Sequence, residues 1–335
     1  MSGRPKPRRQ RTIASTVELV NQVGGHAGVQ TTEDGSLLIK PTLPLEHEFY
    51  AALAREPDLE PLRPHVPKFL GTLKLHGSET STEAGVEKES LVLENLSHTF
   101  KKPNILDVKL GTILYDEDAA PEKRERMKKT ARETTSSETG IRLTGFQVYD
   151  NITGTAVVTP KSYGKSIKPA ELPDGLRRMF PVASAEPLAD GRANLGLPSR
   201  TLLPILEAIR DITEEIMDVL SGIELRMVGA SLLVVYEADH SRAEEGVRWV
   251  EEQMKLVEKG ALYEDEEGGD EKDDEHEKNT PFAPFSVKLI DFAHTRLKPG
   301  EGPDDGVLLG IETLLRLLEG RIKEVSALVE DKTSE

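Results

Sequence analysis

Apolar positions fall into two regimes along the chain. Up to about residue 97 they come in short runs: Leu37-Leu38-Ile39, then 69–75, then 90–93. Runs of that length beside turn residues such as Asp34-Gly35 predict strands. Between the first two runs, residues 46–55 carry Phe49, Ala52 and Leu53 on one face and predict a helix, with Pro57, Pro61, Pro64 and Pro67 punctuating its exit. Residues 17–97 therefore read as a small sheet with one helix. Beyond them the periods lengthen. Residues 119–139 are charged and helix-compatible, and 144–158 reads as a hairpin, with Phe146 and Val148 facing Val157 and Val158. Leu202, Ile205, Leu206, Ile209, Ile212, Ile216 and Leu220 repeat near 3.6 and predict an amphipathic helix over 201–221. Residues 227–236 and 287–292 predict buried strands, and 306–329 a closing helix.

Two segments break this pattern. Residues 1–11 (MSGRPKPRRQR) hold five basic and no acidic side chains, so a mobile tail over 1–16 is expected, with order beginning near Val17. In 264–278 ten of fifteen residues are acidic, which predicts a disordered insertion. The chain as a whole suits one large or two modest domains: 335 residues, 37% hydrophobic, with 27 glycines. The formal charge of −16 argues against a nucleic-acid coat protein. The absence of cysteine excludes disulfides, a thiol nucleophile and thiolate metal sites. No apolar run approaches the ~20 residues that span a bilayer. The basic N-terminus has no apolar stretch behind it, so no secretory signal is expected. A soluble intracellular protein is the expectation.

Candidate chemistry concentrates at four places. The Walker pattern and a strict GxGxxG are absent, but Gly24-Gly25-His26-Ala27-Gly28 is either a flexible cover over phosphates or an ordinary turn. Lys40, ending the strand that follows, matches the way kinase-type small lobes place an ammonium over nucleotide phosphates. In Pro103-Asn104-Ile105-Leu106-Asp107-Val108-Lys109-Leu110-Gly111, Asp107 and Lys109 stand two apart on an extended backbone and share one side. There a carboxylate could orient or deprotonate a hydroxyl beside a cation that neutralises a moving phosphoryl group. The alternative is a surface salt bridge worth at most ~1 kcal/mol. In Leu289-Ile290-Asp291-Phe292-Ala293-His294, Asp291 is either a Mg²⁺ ligand or a turn residue, and His294 by itself reads as a packing histidine. Ser231, the small polar group opening Ser231-Leu232-Leu233, is placed to touch a metal or phosphate.

Together these stretches resemble the inositol polyphosphate kinase family. Its P-x-x-x-D-x-K-x-G hallmark is matched by Pro103, Asp107, Lys109 and Gly111, its SLL segment by Ser231-Leu232-Leu233, and its IDF segment by Ile290-Asp291-Phe292. The likeness runs from about Val20 to Leu328 and is greatest to the fungal multikinase branch, whose acidic insertion it shares. It implies an α+β, two-lobed fold related to protein kinases: an N-lobe over 17–97, a C-lobe over 98–335 with a substrate-binding insertion at 119–200, and ATP in the cleft. Lys40 would pair with ATP phosphates, and Glu94 and Leu96 would meet adenine through their backbone. Asn95 stands where multikinases often carry an acid. Asp291 and Ser231 would hold Mg²⁺, Asp107 would act on the inositol hydroxyl, and Lys109 and His294 would meet substrate phosphate. The implied reaction is ATP-dependent phosphorylation of inositol tris- and tetrakisphosphate to the pentakisphosphate. Alternatives are an inositol trisphosphate 3-kinase, an inositol hexakisphosphate kinase, or a scaffold in transcription complexes. The resemblance also implies a nuclear and cytoplasmic monomer without direct nucleic-acid or membrane binding, and transcription-complex proteins as partners.

Charge placement supports a polyanionic substrate. Residues 122–178 hold twelve Lys and Arg against seven acids, inside a chain of −16. Dense anions require convergent cations. Lys123, Arg126 and Lys129 share one helix face by their spacing, and with Lys165 they are the expected substrate-binding residues.

Overall fold

A computed structural model describes residues 16–18, 28–74, 89–184, 194–259 and 282–331. The basic tail up to residue 15, the glycine-rich 24–27 and the acidic 264–278 lie outside them. The N-terminal part is an antiparallel sheet in the order β1 (Thr16–Glu18), β2 (Gln30–Thr32), β3 (Leu37–Pro41), β5 (Glu89–Glu94), β4 (Phe69–Lys74). Helix α1 (Pro44–Arg55) begins with proline, whose missing N–H has no intrahelical partner to lose there. It buries Glu46, Phe49, Tyr50 and Leu53. The prolines that follow do not simply end it: Pro57–His65 forms a 3-10 helix that buries Leu59 and Leu62.

A second antiparallel sheet of order β11-β10-β6-β7-β8 organises the larger part. Its strands are β6 (Pro103–Leu110), β7 (Ile141–Tyr149), β8 (Ala156–Thr159), β10 (Ser231–Glu237) and β11 (Phe285–Ile290). Helices α2 (Pro121–Glu133) and α3 (Ser136–Thr139) join β6 to β7, and α4 (Lys161–Ser166) and α5 (Leu172–Met179) follow β8. Then come α6 (Ser199–Ser221), β9 (Leu225–Met227), α7 (His240–Glu258), β12 (Thr295–Leu297) and α8 (Asp305–Asp331), with β9 and β12 paired.

Strand alternation gives the central sheet two unlike faces. Leu106, Val108 and Leu110 of β6, with Leu232, Val234 and Tyr236 of β10, enter the main core alongside Leu176 of α5, Ile205 of α6 and Ile311 of α8. The intervening residues occupy the other face: Ile105, packed with Val235 and Phe100 in a separate small cluster, then Asp107 and Lys109. The architecture is the expected α+β arrangement. Two details differ from the sequence expectation. The run 227–236 is not one strand, because Gly229 takes φ +80 and turns the chain between β9 and β10. Helix α7 was not anticipated: among its residues only Ala243 and Gly246 are buried, so its apolar stripe is faint, although Asp239 caps it by accepting from the Arg242 N–H.

Candidate active site

Four charged side chains from four elements form one chain of contacts. Lys40 Nζ, at the end of β3, donates to Glu46 Oε1 of α1 at 2.6 Å and to Asp291 Oδ1, just past β11, at 2.8 Å. Lys109 Nζ of β6 donates to the other Asp291 oxygen at 3.1 Å and to the Gly229 carbonyl at 2.6 Å. Burial alone would raise the Asp291 pKa, but Lys40 and Lys109 outweigh it and bring it from 3.8 down to about 2. Burial likewise opposes the Lys40 charge, and Asp291 and Glu46 hold its pKa above the usual value. Lys40 and Asp291 are therefore both ionised.

The backbone makes this possible. Asp291 has φ +66, the left-handed conformation that Asp tolerates better than most residues, which ends β11 at Ile290. Phe292 then stacks on Phe49 at 4.3 Å and meets Tyr50 edge-on at 5.6 Å, while its N–H donates to Glu46 Oε1 at 3.2 Å. Helix α1 thus ties the lysine-bearing strand to the Asp291 turn. Glu46 escaped sequence reasoning, yet it left a signal: it falls with Phe49, Tyr50 and Leu53 at i, i+3, i+4 and i+7, a carboxylate on an apolar stripe.

Asp107 and Lys109 do share a face, as their spacing requires. Lys109 lies opposite Ser231 of β10 and Arg142 of β7, and Asp107 lies opposite Leu233 and Gly145. Asp107 is 1% exposed, and burial pushes its carboxyl up against the pull of Lys109. Ser231 lies close enough to Asp107 to draw its pKa down, yet neither Asp107 oxygen, nor Ser231 Oγ, nor Arg142 Nη1 makes a hydrogen bond of good geometry among the described residues. Polar atoms left so in a protein interior are completed by an ordered water, an ion or a polar ligand. A surface salt bridge is excluded here by the burial. Arg142 and Lys161, both within the field of Asp107, had entered the sequence reading only as part of a charge balance. Gly111 closes the motif at φ +96, which explains why glycine stands there.

The other expected residues are less closely gathered. Glu94 Oε1 accepts from the Lys68 N–H at 2.9 Å, fixing the strand that leads into the Asn95-Leu96 turn. His294 is not a packing residue: it is about one-third exposed, and its Nδ1 lies 2.9 Å from Asp116 Oδ2. It borders a cavity of about 490 Å³ that Tyr115, Arg124, Arg226 and Arg296 also line. Lys123, Arg126 and Lys129 are exposed on α2, whose buried residue is Ala131, and Lys165 is exposed in the last turn of α4.

Comparison with known proteins settles the family. The model of the inositol polyphosphate kinase family matches residues 90–319. The chain belongs to the inositol polyphosphate kinase family. It is a phosphotransferase that uses ATP. This kinase is 31% identical to the inositol polyphosphate multikinase of Saccharomyces cerevisiae, over 91% of its own length and 98% of the relative's. It is 30% identical to the Schizosaccharomyces pombe multikinase, over 64% and 77% of the two chains. With rat inositol hexakisphosphate kinase 1 the identity is 29% over 74% and 56%. The solved structure of the S. cerevisiae multikinase Ipk2 with ADP and Mn²⁺ superimposes with a TM-score of 0.60 at 30% identity, covering 86% of this kinase and 100% of that chain.

The donor set suits a divalent ion. One buried carboxylate, Asp291, and one buried hydroxyl, Ser231, are a sparse set, and Mg²⁺ commonly takes one or two carboxylates and fills its shell with water and phosphate oxygens. No group of three or more acidic, His or Cys side chains fit to hold a metal occurs among the described residues. An ion here would therefore depend on nucleotide phosphates for much of its coordination.

Proposed function

We propose that this kinase is a multikinase that transfers the γ-phosphoryl group of ATP to hydroxyls of inositol trisphosphate and tetrakisphosphate, giving inositol pentakisphosphate. The observation that carries the reading is the Glu46–Lys40–Asp291–Lys109 chain of charges with Asp107 buried on the same sheet face as Lys109. Agreement along nearly the full length of the yeast multikinase favours this branch over the hexakisphosphate kinases, of which the chain spans about half.

Phosphoryl transfer asks little covalent chemistry of the protein and much positioning. The acceptor oxygen bonds to the γ-phosphorus as the bond to the β–γ bridging oxygen breaks, and the hydroxyl proton must leave. Asp107 is placed to take it: a buried carboxylate with a raised pKa is a stronger base than an exposed one. Lys40, aligned by Glu46, binds the transferring phosphates of ATP, and Lys109 neutralises charge between ATP and acceptor. Asp291 with Ser231 would hold Mg²⁺, which supplies charge neutralisation on the phosphate oxygens when bound. Glu94 and Leu96 offer backbone contacts to adenine. Lys123, Arg126, Lys129, Lys165, Arg142 and His294 supply cations and donors for the acceptor's phosphates. Incubating the purified protein with inositol trisphosphate, ATP and Mg²⁺, then resolving products by anion-exchange chromatography, should show tetrakis- and pentakisphosphate. Consumption of inositol hexakisphosphate alone would refute the assignment.

A further inference from the structure

His294 owes its orientation to a residue outside every motif of the site. Asp116, in the loop between β6 and α2, is 5% exposed and makes three contacts. Its Oδ1 accepts from the Asp118 N–H at 3.0 Å and from Arg296 Nη2 at 3.1 Å, and its Oδ2 faces His294 Nδ1 at 2.9 Å. Burial acts to raise the Asp116 pKa, but the Asp118 and Arg296 hydrogen bonds hold it below the ordinary value. The carboxylate is thus ionised, anchored on one oxygen, and able only to accept on the other.

The histidine backbone is fixed from the opposite side. The His294 carbonyl accepts from the Val228 N–H at 3.2 Å, and the next residue's N–H returns to the Phe292 carbonyl at 3.0 Å. Ring and backbone are therefore both held, and only Nε2 remains to meet a ligand. An acceptor-only partner at Nδ1 requires the proton there in the neutral ring, so that Nε2 carries the lone pair. When the ring is charged, the same contact leaves Nε2–H as a donor aimed away from Asp116.

We propose that Asp116 is the positioning residue for His294: it holds the proton on Nδ1 in the ligand-free neutral ring and sets the orientation in which the charged ring's Nε2–H donates to the inositol phosphate. The role of His294 in this statement rests on the proposed function; its orientation by Asp116 does not. Arg296, bonded to the same carboxylate, keeps Asp116 ionised and stationary.

The test has two arms. In ligand-free protein with ¹⁵N-labelled histidine, long-range ¹H–¹⁵N correlation reads the tautomer of the neutral His294 ring. The expected result is a proton on Nδ1 in the wild type and on Nε2, the form preferred in solution, in Asp116→Ala. A wild-type proton on Nε2, or one tautomer in both proteins, overturns the proposal. In steady-state kinetics Asp116→Ala should raise KM for inositol trisphosphate roughly ten-fold, as expected for losing a charge-assisted hydrogen bond, with KM for ATP unchanged. Asp116→Asn, which keeps an accepting oxygen, should recover most of that loss. In a His294→Ala background the Asp116→Ala effect should vanish, whereas additive losses would overturn the coupling. The expected tautomers with an unchanged acceptor KM would support the positioning and remove His294 from the acceptor site.

Discussion

Replacing Asp291 by Asn tests the charge chain at its most constrained member. Asparagine tolerates φ +66 as aspartate does and resembles the protonated acid in shape, so the substitution removes the charge with little change of backbone. The cost can be worked from the displaced pKa. A fall from 3.8 in the unfolded chain to about 2 in the native state corresponds to about 2 kcal/mol of stability at neutral pH. Because the folded pKa lies below the unfolded one, this contribution is fully present above about pH 5. It is lost as pH falls through 3.8 toward 2, with roughly half left at pH 3. Urea unfolding of wild type and Asp291→Asn should therefore differ by about 2 kcal/mol at pH 7 and by clearly less at pH 3. Turnover should drop by about 100-fold or more, because Asp291 orders both lysines and is the proposed metal ligand. Equal stability at pH 7, a gap that widens on acidification, or near-normal kcat would each refute the reasoning.

Two other substitutions separate the roles of neighbouring groups. Asp107→Asn should also abolish most of kcat, yet it should raise stability at neutral pH, because burial disfavours the Asp107 charge; calorimetry with single-turnover kinetics would catch a destabilised or fully active variant, either of which contradicts the assignment. Lys123→Ala combined with Arg126→Ala should raise KM for inositol trisphosphate several-fold and leave that for ATP unchanged, and an unaltered acceptor KM would remove α2 from the acceptor site.

Much of this site was legible along the chain because it is built on local periodicity. The period of two puts Asp107 and Lys109 on one face and their apolar neighbours on the other, whatever the sheet around them. The glycine of the same motif announces a left-handed turn. The helix over 201–221 and the closing helix were equally plain, since their stripes face a core that any fold must supply. Where the local signal was faint, as in the polar α7, or divided by one glycine, as at Gly229, the reading lost its edges.

What the amino-acid sequence determined by itself was therefore the kind of chemistry and the elements that carry it: a strand-borne lysine, a D-x-K strand, an aspartate ending another strand, and a local excess of cations. Only the tertiary structure decided which of these meet. Lys40 and Asp291 are separated by 251 positions and touch at 2.8 Å. Glu46 joins them because α1 lies across the Asp291 turn, and Asp116 reaches His294 across 178 positions. Such contacts follow from strand order and helix packing, which no nearest-neighbour periodicity encodes. The neighbours assembled there also shift protonation in opposite directions: two lysines outweigh burial at Asp291, whereas burial outweighs the pull of Lys109 at Asp107. This leaves Asp291 firmly ionised and Asp107 a stronger base, a division of labour between two identical side chains that only their surroundings can make.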